Sequence, residues 1–117
     1  MPMTLDEFQN GALRTVNTSL GDRDRLLDVA AGLSEEASEV LGLVRKQVFQ
    51  GRAVDKARFS EELGDVLWCV AVAAHSLGLT LEQVADANQA KLTARHPNGF
   101  DSRSMRTTDM WSRSELE

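Results

Sequence analysis

The sequence predicts an all-α fold: a four-helix bundle built around a central antiparallel helix hairpin. Apolar residues recur at steps of three and four through most of the chain. The two prolines, Pro2 and Pro97, stand at the edges of this periodic region and leave its interior free of helix breakers. Two capping boxes, Thr4-Leu5-Asp6-Glu7 and Thr80-Leu81-Glu82-Gln83, mark helix starts.

Taken in order, the first capping box opens a helix that runs to about Thr18. Asn17 to Asp24 is turn-like. A second helix covers about Asp24 to Gln50, with its stripe on Leu33, Ala37, Val40, Leu41, Val44 and Val48. Gly51 and its neighbours make a short connection. Asp55 caps a third helix that runs to about Leu77, with a stripe of Leu63, Val66, Leu67, Val70, Ala74 and Leu77; Gly78 ends it. The last helix starts at the second capping box and stops before Pro97, because the residue ahead of a proline is pushed out of the helical region. The chain reads as one all-α domain over 1–100 and a polar tail over 101–117, without internal repeats.

Composition narrows the class. A chain of 117 residues supports one domain with a modest core. With 42% hydrophobic and 26% charged residues it is ordinary for a soluble globular protein. No apolar run has the length needed to cross a bilayer and no secretory signal is visible, so a cytoplasmic protein without a membrane partner is expected. The single cysteine, Cys69, excludes an intramolecular disulfide framework and a cysteine-cluster metal site. A net charge of −5 argues against a nucleic-acid polymer as partner. It is compatible with one nucleotide, because a bound cation inverts the local field.

Four carboxylates carry the chemistry: Glu36 and Glu39 on the second helix, Glu62 and Asp65 on the third. Each pair is spaced i,i+3, which puts both members on one helical face beside an apolar stripe. Like charges held close at such a place repel unless a cation lies between them. Oxygen-only ligands suit a hard divalent ion, Mg²⁺ first and Mn²⁺ second. Glu39 and Glu62 are separated by 22 residues, so an antiparallel hairpin lets the two pairs face each other. Gly64 lies between Glu62 and Asp65 inside a helix, where glycine costs about 1 kcal/mol relative to alanine. Close helix approach beside the metal and neutral packing are the two readings of it.

Other residues have two readings each. Asn88, Lys91 and Arg95 share one face of the last helix, as phosphate contacts or as a solvated basic face favoured near a helix C-terminus. Trp68, three residues beyond Asp65, stacks on a base or packs in the core. Lys46 reaches phosphate or is a surface lysine. His75 and Cys69 read as packing residues.

The ordered motifs Glu36-Ala37-Ser38-Glu39 and Glu62-Leu63-Gly64-Asp65 resemble the Glu-x-x-Glu and Glu-x-x-Asp signatures of the MazG-like, all-α nucleoside triphosphate pyrophosphohydrolase superfamily. Leu5-Asp6-Glu7-Phe8-Gln9 is similar to that family's opening helix. Asn88-Gln89-Ala90-Lys91-Leu92 followed by Arg95-His96-Pro97-Asn98-Gly99-Phe100 is similar to its closing segment, and the likeness spans roughly residues 4–103. The chain departs from the pattern at His96, where many relatives have tyrosine, and near Glu35 and Ser38, where many have glycine.

The resemblance implies Mg²⁺-dependent cleavage of a nucleoside triphosphate to the monophosphate and pyrophosphate. Glu36, Glu39, Glu62 and Asp65 would be metal ligands, with Glu35 or Glu36 taking the proton of the attacking water. Asn88, Lys91 and Arg95 would hold the substrate, with Trp68 and Lys46 as further contacts; Phe8 and Gln9 would touch substrate by resemblance alone, with core packing and surface hydrogen bonding as their other readings. Relatives form dimers or tetramers, which implies a homotetramer here, with a homodimer as the alternative. Leu43, Phe49, Trp68 and Val72 fall off the two stripes and are the expected subunit contacts, and Arg103, Arg106 and Arg113 in the tail would reach phosphate or a neighbouring subunit. A phosphoribosyl-ATP pyrophosphatase and a non-catalytic helical regulatory module are the alternative functions. A di-iron bundle is disfavoured because neither pair includes the Glu-x-x-His expected there.

Overall fold

The computed structural model describes residues 2–100. The expected tail, with Arg103, Arg106 and Arg113, lies outside the described residues. Four α-helices follow one another: α1 Leu5–Leu13, α2 Asp22–Leu43, α3 Lys56–Ser76 and α4 Leu81–Arg95. A π-helical segment, Val44–Phe49, continues α2 directly, and the described residues contain no β-strand. Met1–Gln83 form one compact unit and a second begins at Val84, within α4.

The caps form as the sequence chemistry requires. Thr4 Oγ1 accepts the Glu7 N–H at 3.1 Å, and Glu7 Oε1 accepts the Thr4 N–H at 3.3 Å. Thr80 and Gln83 repeat the exchange at the start of α4, at 2.9 and 3.0 Å. Asp55 caps α3 by accepting the Arg58 N–H at 3.2 Å. The end of α3 is a Schellman motif: the Gly78 N–H reaches the His75 carbonyl, the Leu79 N–H reaches the Ala74 carbonyl, and Gly78 takes φ +74°.

Two boundaries differ from expectation. α1 stops at Leu13 rather than near Thr18, because the Thr15 hydroxyl donates to the Ala12 carbonyl at 2.8 Å and closes the helix from a side chain. α2 begins at Asp22, where Asp22 and Asp24 complement the positive helix end. Arg25 pairs with Asp22 and donates to Ser76 Oγ on α3 at 3.0 Å. At the far end, Gln47 Oε1 accepts the Asp55 N–H at 2.6 Å and ties the π-helical segment to the start of α3.

α2 and α3 pack along each other as the hairpin, and α1 packs on α3. Their inner faces are rotated from the expected stripes. On α2 and its π-helical continuation the row facing inward runs through Val29, Leu33, Glu36, Val40 and Val44, whereas Ala37 is exposed and Leu41 is 59% exposed. On α3, Glu62, Cys69 and Val72 are buried, Val72 completely, while Leu63 and Leu67 are 55% and 41% exposed. Leu77 and Val48 also lie outside the core. Val72, Leu43 and Trp68, expected to be free for a partner, are buried or half-buried within the chain; Phe49 alone of that set is exposed. Glu36 and Glu62 thus occupy positions in core-facing rows. Gly64 is exposed and a Cβ there would meet nothing within 4 Å, so neither close helix approach nor packing within the chain accounts for it.

The core gathers Ala12, Val29, Ala71, Val72 and Leu81, with Phe8 and Trp68 packed against it. Gln9 is buried inside this apolar set. Its side-chain amide donates to the Ala71 and Leu79 carbonyls at 3.0 and 3.1 Å, and its oxygen accepts the Leu81 N–H at 3.0 Å. Phe8 thus packs against the core and Gln9 spends its side-chain amide on backbone groups, in keeping with the packing and hydrogen-bonding readings of these two residues. Gln9→Leu leaves the Leu79 carbonyl and the Leu81 N–H without their side-chain partner, at about 1–3 kcal/mol for each buried orphan; the Ala71 carbonyl keeps its place in the α3 ladder. A loss on the order of 3 kcal/mol is expected in urea unfolding; a loss under 1 kcal/mol would mean that water replaces the amide.

Candidate metal centre

The inner rows of α2 and α3 bring Glu36, Glu62 and Asp65 together. One carboxylate oxygen from each lies within 4.8 Å of the others. Glu36 is half-buried, Glu62 is buried and Asp65 is exposed, so the group opens from the helix interface toward solvent. Glu39, one turn beyond Glu36, is exposed and outside this group.

The electrostatics fit a cation. The Glu36 carboxyl is raised above its ordinary value, first by partial burial and then by the negative charges of Asp65, Glu62, Glu39 and Glu35. Glu39 thus acts on the cluster through its charge. The Cys69 thiol is also raised, by burial and then by Glu36, Asp65 and Asp28. Cys69 is buried and is not among the groups that converge, so the donor set is oxygen alone. Three convergent carboxylates without nitrogen or sulfur suit a hard divalent ion and not zinc.

Sequence reasoning missed Arg58. Its Nη2 lies 3.3 Å from Glu62 Oε1, and Nη1 lies 3.8 Å from Glu61 Oε2. The i,i+4 spacing of Arg58 and Glu62 was visible, but a charged pair at that spacing is common on any helix. Arg58 supplies part of the positive charge that a bound cation would supply in full. Arg58→Ala is expected to tighten Mg²⁺ binding to the nucleotide-free protein a few-fold, on the order of 0.5 kcal/mol for a half-exposed pair. Calorimetric titration reads this; weaker binding would instead make Arg58 a support that holds Glu62 in place.

The remaining candidates separate. Glu35 is exposed and, with Trp68, lines the cavity that also contains Glu36 and Asp65. Trp68 is half-buried, and its indole N–H donates to Thr15 Oγ1 at 2.8 Å. Lys46 is exposed on the π-helical segment. Asn88, Lys91 and Arg95 are exposed on the part of α4 that belongs to the second unit. No single helix among the described residues is long and apolar enough to cross a membrane.

An all-α hairpin with carboxylates converging from both arms is an arrangement able to hold a metal ion between two helices. Residues 25–100 match the MazG nucleotide pyrophosphohydrolase domain, and the chain belongs to that family. It is also similar to the uncharacterized protein YvdC of Bacillus subtilis (strain 168), at 38% identity over 72 residues, covering 54% of this chain and 68% of that protein. No solved structure matched the chain.

Proposed function

We propose that this protein is a Mg²⁺-dependent nucleoside triphosphate pyrophosphohydrolase that releases the nucleoside monophosphate and pyrophosphate. The observation that carries the reading is the convergence of Glu36, Glu62 and Asp65 from two helices, in a chain of this family. Glu39, one turn away and exposed, would be the fourth ligand. A divalent ion held by these residues would neutralise charge on the phosphate oxygens and activate a water for attack. Glu35 lines the same cavity outside the three-carboxylate group, and in this reading it accepts the proton of the attacking water. Lys91, with Asn88 and Arg95 on its face, binds the outer phosphates, and Lys46 is a further phosphate contact.

The protein works as a homo-oligomer in this reading, a tetramer ahead of a dimer. Support comes from Leu41, Phe49, Leu63 and Leu67, large apolar side chains left exposed on the hairpin. The one domain over 1–100 carries the activity, in the cytoplasm, without membrane or nucleic-acid partners.

The test is pyrophosphate release from a panel of ribo- and deoxyribonucleoside triphosphates and phosphoribosyl-ATP, with and without Mg²⁺. Metal-dependent pyrophosphate is expected; none from any member would leave a non-catalytic module. Lys91→Ala is expected to raise KM by about tenfold, roughly the 1.4 kcal/mol of one charge-assisted hydrogen bond, with Mg²⁺ affinity unchanged. An unchanged KM would make Lys91 a surface residue.

A further inference from the structure

Two members of the carboxylate cluster, Glu36 and Asp65, line a cavity of about 310 Å³, near the lower end of the range for small-molecule sites. Its lining runs well past the cluster. On α2, Asp28 stands eight residues before Glu36. At 1.5 Å per residue that places Asp28 about 12 Å further along the helix. On α3, Trp68 and Cys69 lie three and four residues beyond Asp65. Because the hairpin is antiparallel, both walls lead away from the cluster in the same direction. Phosphate held at the cluster would therefore direct the rest of a nucleotide along this cavity.

Two features give the far end its chemistry. Trp68 is a fixed wall: its N–H donates to Thr15 Oγ1 at 2.8 Å, and the Thr15 hydroxyl donates to the Ala12 carbonyl, also at 2.8 Å. The ring orientation is thus set by the end of α1 before any ligand arrives. The charged lining residues, Asp28, Glu35, Glu36 and Asp65, are all acidic, and no basic residue joins them. Asp28 stands outside the three-carboxylate group. A carboxylate accepts hydrogen bonds and donates none.

We infer that this cavity receives the nucleobase, that Trp68 gives it a stacking face, and that Asp28 selects bases whose edge carries an exocyclic amine. Adenine, cytosine and guanine can present an amine to the Asp28 oxygens. Uracil and thymine flank their single ring N–H with carbonyl oxygens, whose lone pairs would face the carboxylate. Asp28 is exposed in the free protein, so the discrimination comes from the base that covers it: a base without a donor strips water from the carboxylate and returns no hydrogen bond. The inference rests on the nucleotide reading above and adds the class of base.

The experiment measures binding of nucleoside monophosphates, in Mg²⁺, by quenching of Trp68 emission in a Trp111→Phe background that leaves a single tryptophan. Cytidine, adenosine and guanosine monophosphates are expected to bind about tenfold or more tightly than uridine monophosphate. Asp28→Asn, whose amide both donates and accepts, is expected to bring the uridine compound to within about threefold of the others. Trp68→Leu, read by calorimetry, is expected to weaken all four alike. Equal binding of uridine and cytidine monophosphates to the wild type, or an unchanged ratio in Asp28→Asn, would overturn the inference. If triphosphates are cleaved without base preference, the hydrolase reading stands and Asp28 has no selective role. If no nucleotide is bound or cleaved, both fall.

Discussion

Asp65→Ala is expected to lower Mg²⁺-dependent turnover by more than about a hundredfold, since even outer partners of metal ligands are worth 10–100-fold. Helix content should be retained. Asp65 is exposed, and its backbone lies in the middle of α3, whose packing does not depend on that side chain. Exposed substitutions away from structural features usually change stability by about 0.5 kcal/mol or less. Removing it leaves Glu36 and Glu62 as the close pair. Asp65→Asn sharpens the test, because it keeps the shape and one oxygen but loses the charge that attracts a cation. Pyrophosphate release and circular dichroism read the two halves of the expectation. Wild-type turnover with wild-type Mg²⁺ dependence in Asp65→Ala would remove the cluster from the mechanism.

Mg²⁺ should also stabilise the fold, and the increment should depend on pH. A ligand that binds only the folded state adds about 2.7 kcal/mol at a hundredfold excess over its dissociation constant. For a domain of this size, at roughly 4 °C per kcal/mol, the melting temperature would rise on the order of 10 °C. The pH dependence follows from Glu36, whose carboxyl is raised above 4.5 by partial burial and by its acidic neighbours. A raised carboxyl means that the folded protein holds this proton more tightly than the unfolded chain. Between 4.5 and the raised folded value, the folded state binds the extra proton, so this group's contribution to metal-free stability falls as pH rises through that window. A cation reverses the penalty by occupying the place of the proton. The Mg²⁺ increment should therefore be small at pH 4.5 and full at neutral pH, and thermal melts with and without Mg²⁺ at both read it. A melting temperature indifferent to Mg²⁺ at neutral pH, with or without nucleotide, would argue against a site formed in the folded protein.

The backbone plan was legible because its signals are local. Thr4, Asp55, Gly78 and Thr80 each act on groups within five residues, and each stands in the structure as its chemistry required. The helix faces were less legible. From Val66 to Ala74, α3 is apolar on every side, so periodicity cannot choose which row faces α2. Packing chose the row with Val72 and left Leu63 and Leu67 outside. On α2 an apolar-only stripe took in Ala37 and Leu41, which are exposed, and passed over Glu36, which is half-buried in the inward row because its partners across the interface are carboxylates. Within the site, the i,i+3 spacing located Glu62 and Asp65 together, since those two share a face. The same spacing did not bring Glu39 into the cluster, because three residues rotate a helix by about 300° and Glu39 falls on the outer side of Glu36. Contacts between distant segments left no trace in the sequence. The indole bond from Trp68 to Thr15 and the bonds from Gln9 to Ala71 and Leu81 join residues more than fifty positions apart.

The most direct measurement of the central claim is a titration of Mn²⁺ into the metal-free protein, followed by the loss of the free-ion signal in electron paramagnetic resonance. Mn²⁺ takes the same oxygen ligands as Mg²⁺ and reports its own binding without turnover. The wild type is expected to remove Mn²⁺ from solution saturably, Mg²⁺ should displace it, and Asp65→Ala should leave it free. A wild type that leaves Mn²⁺ free, or an Asp65→Ala that binds it as well as the wild type does, would contradict a metal site at Glu36, Glu62 and Asp65.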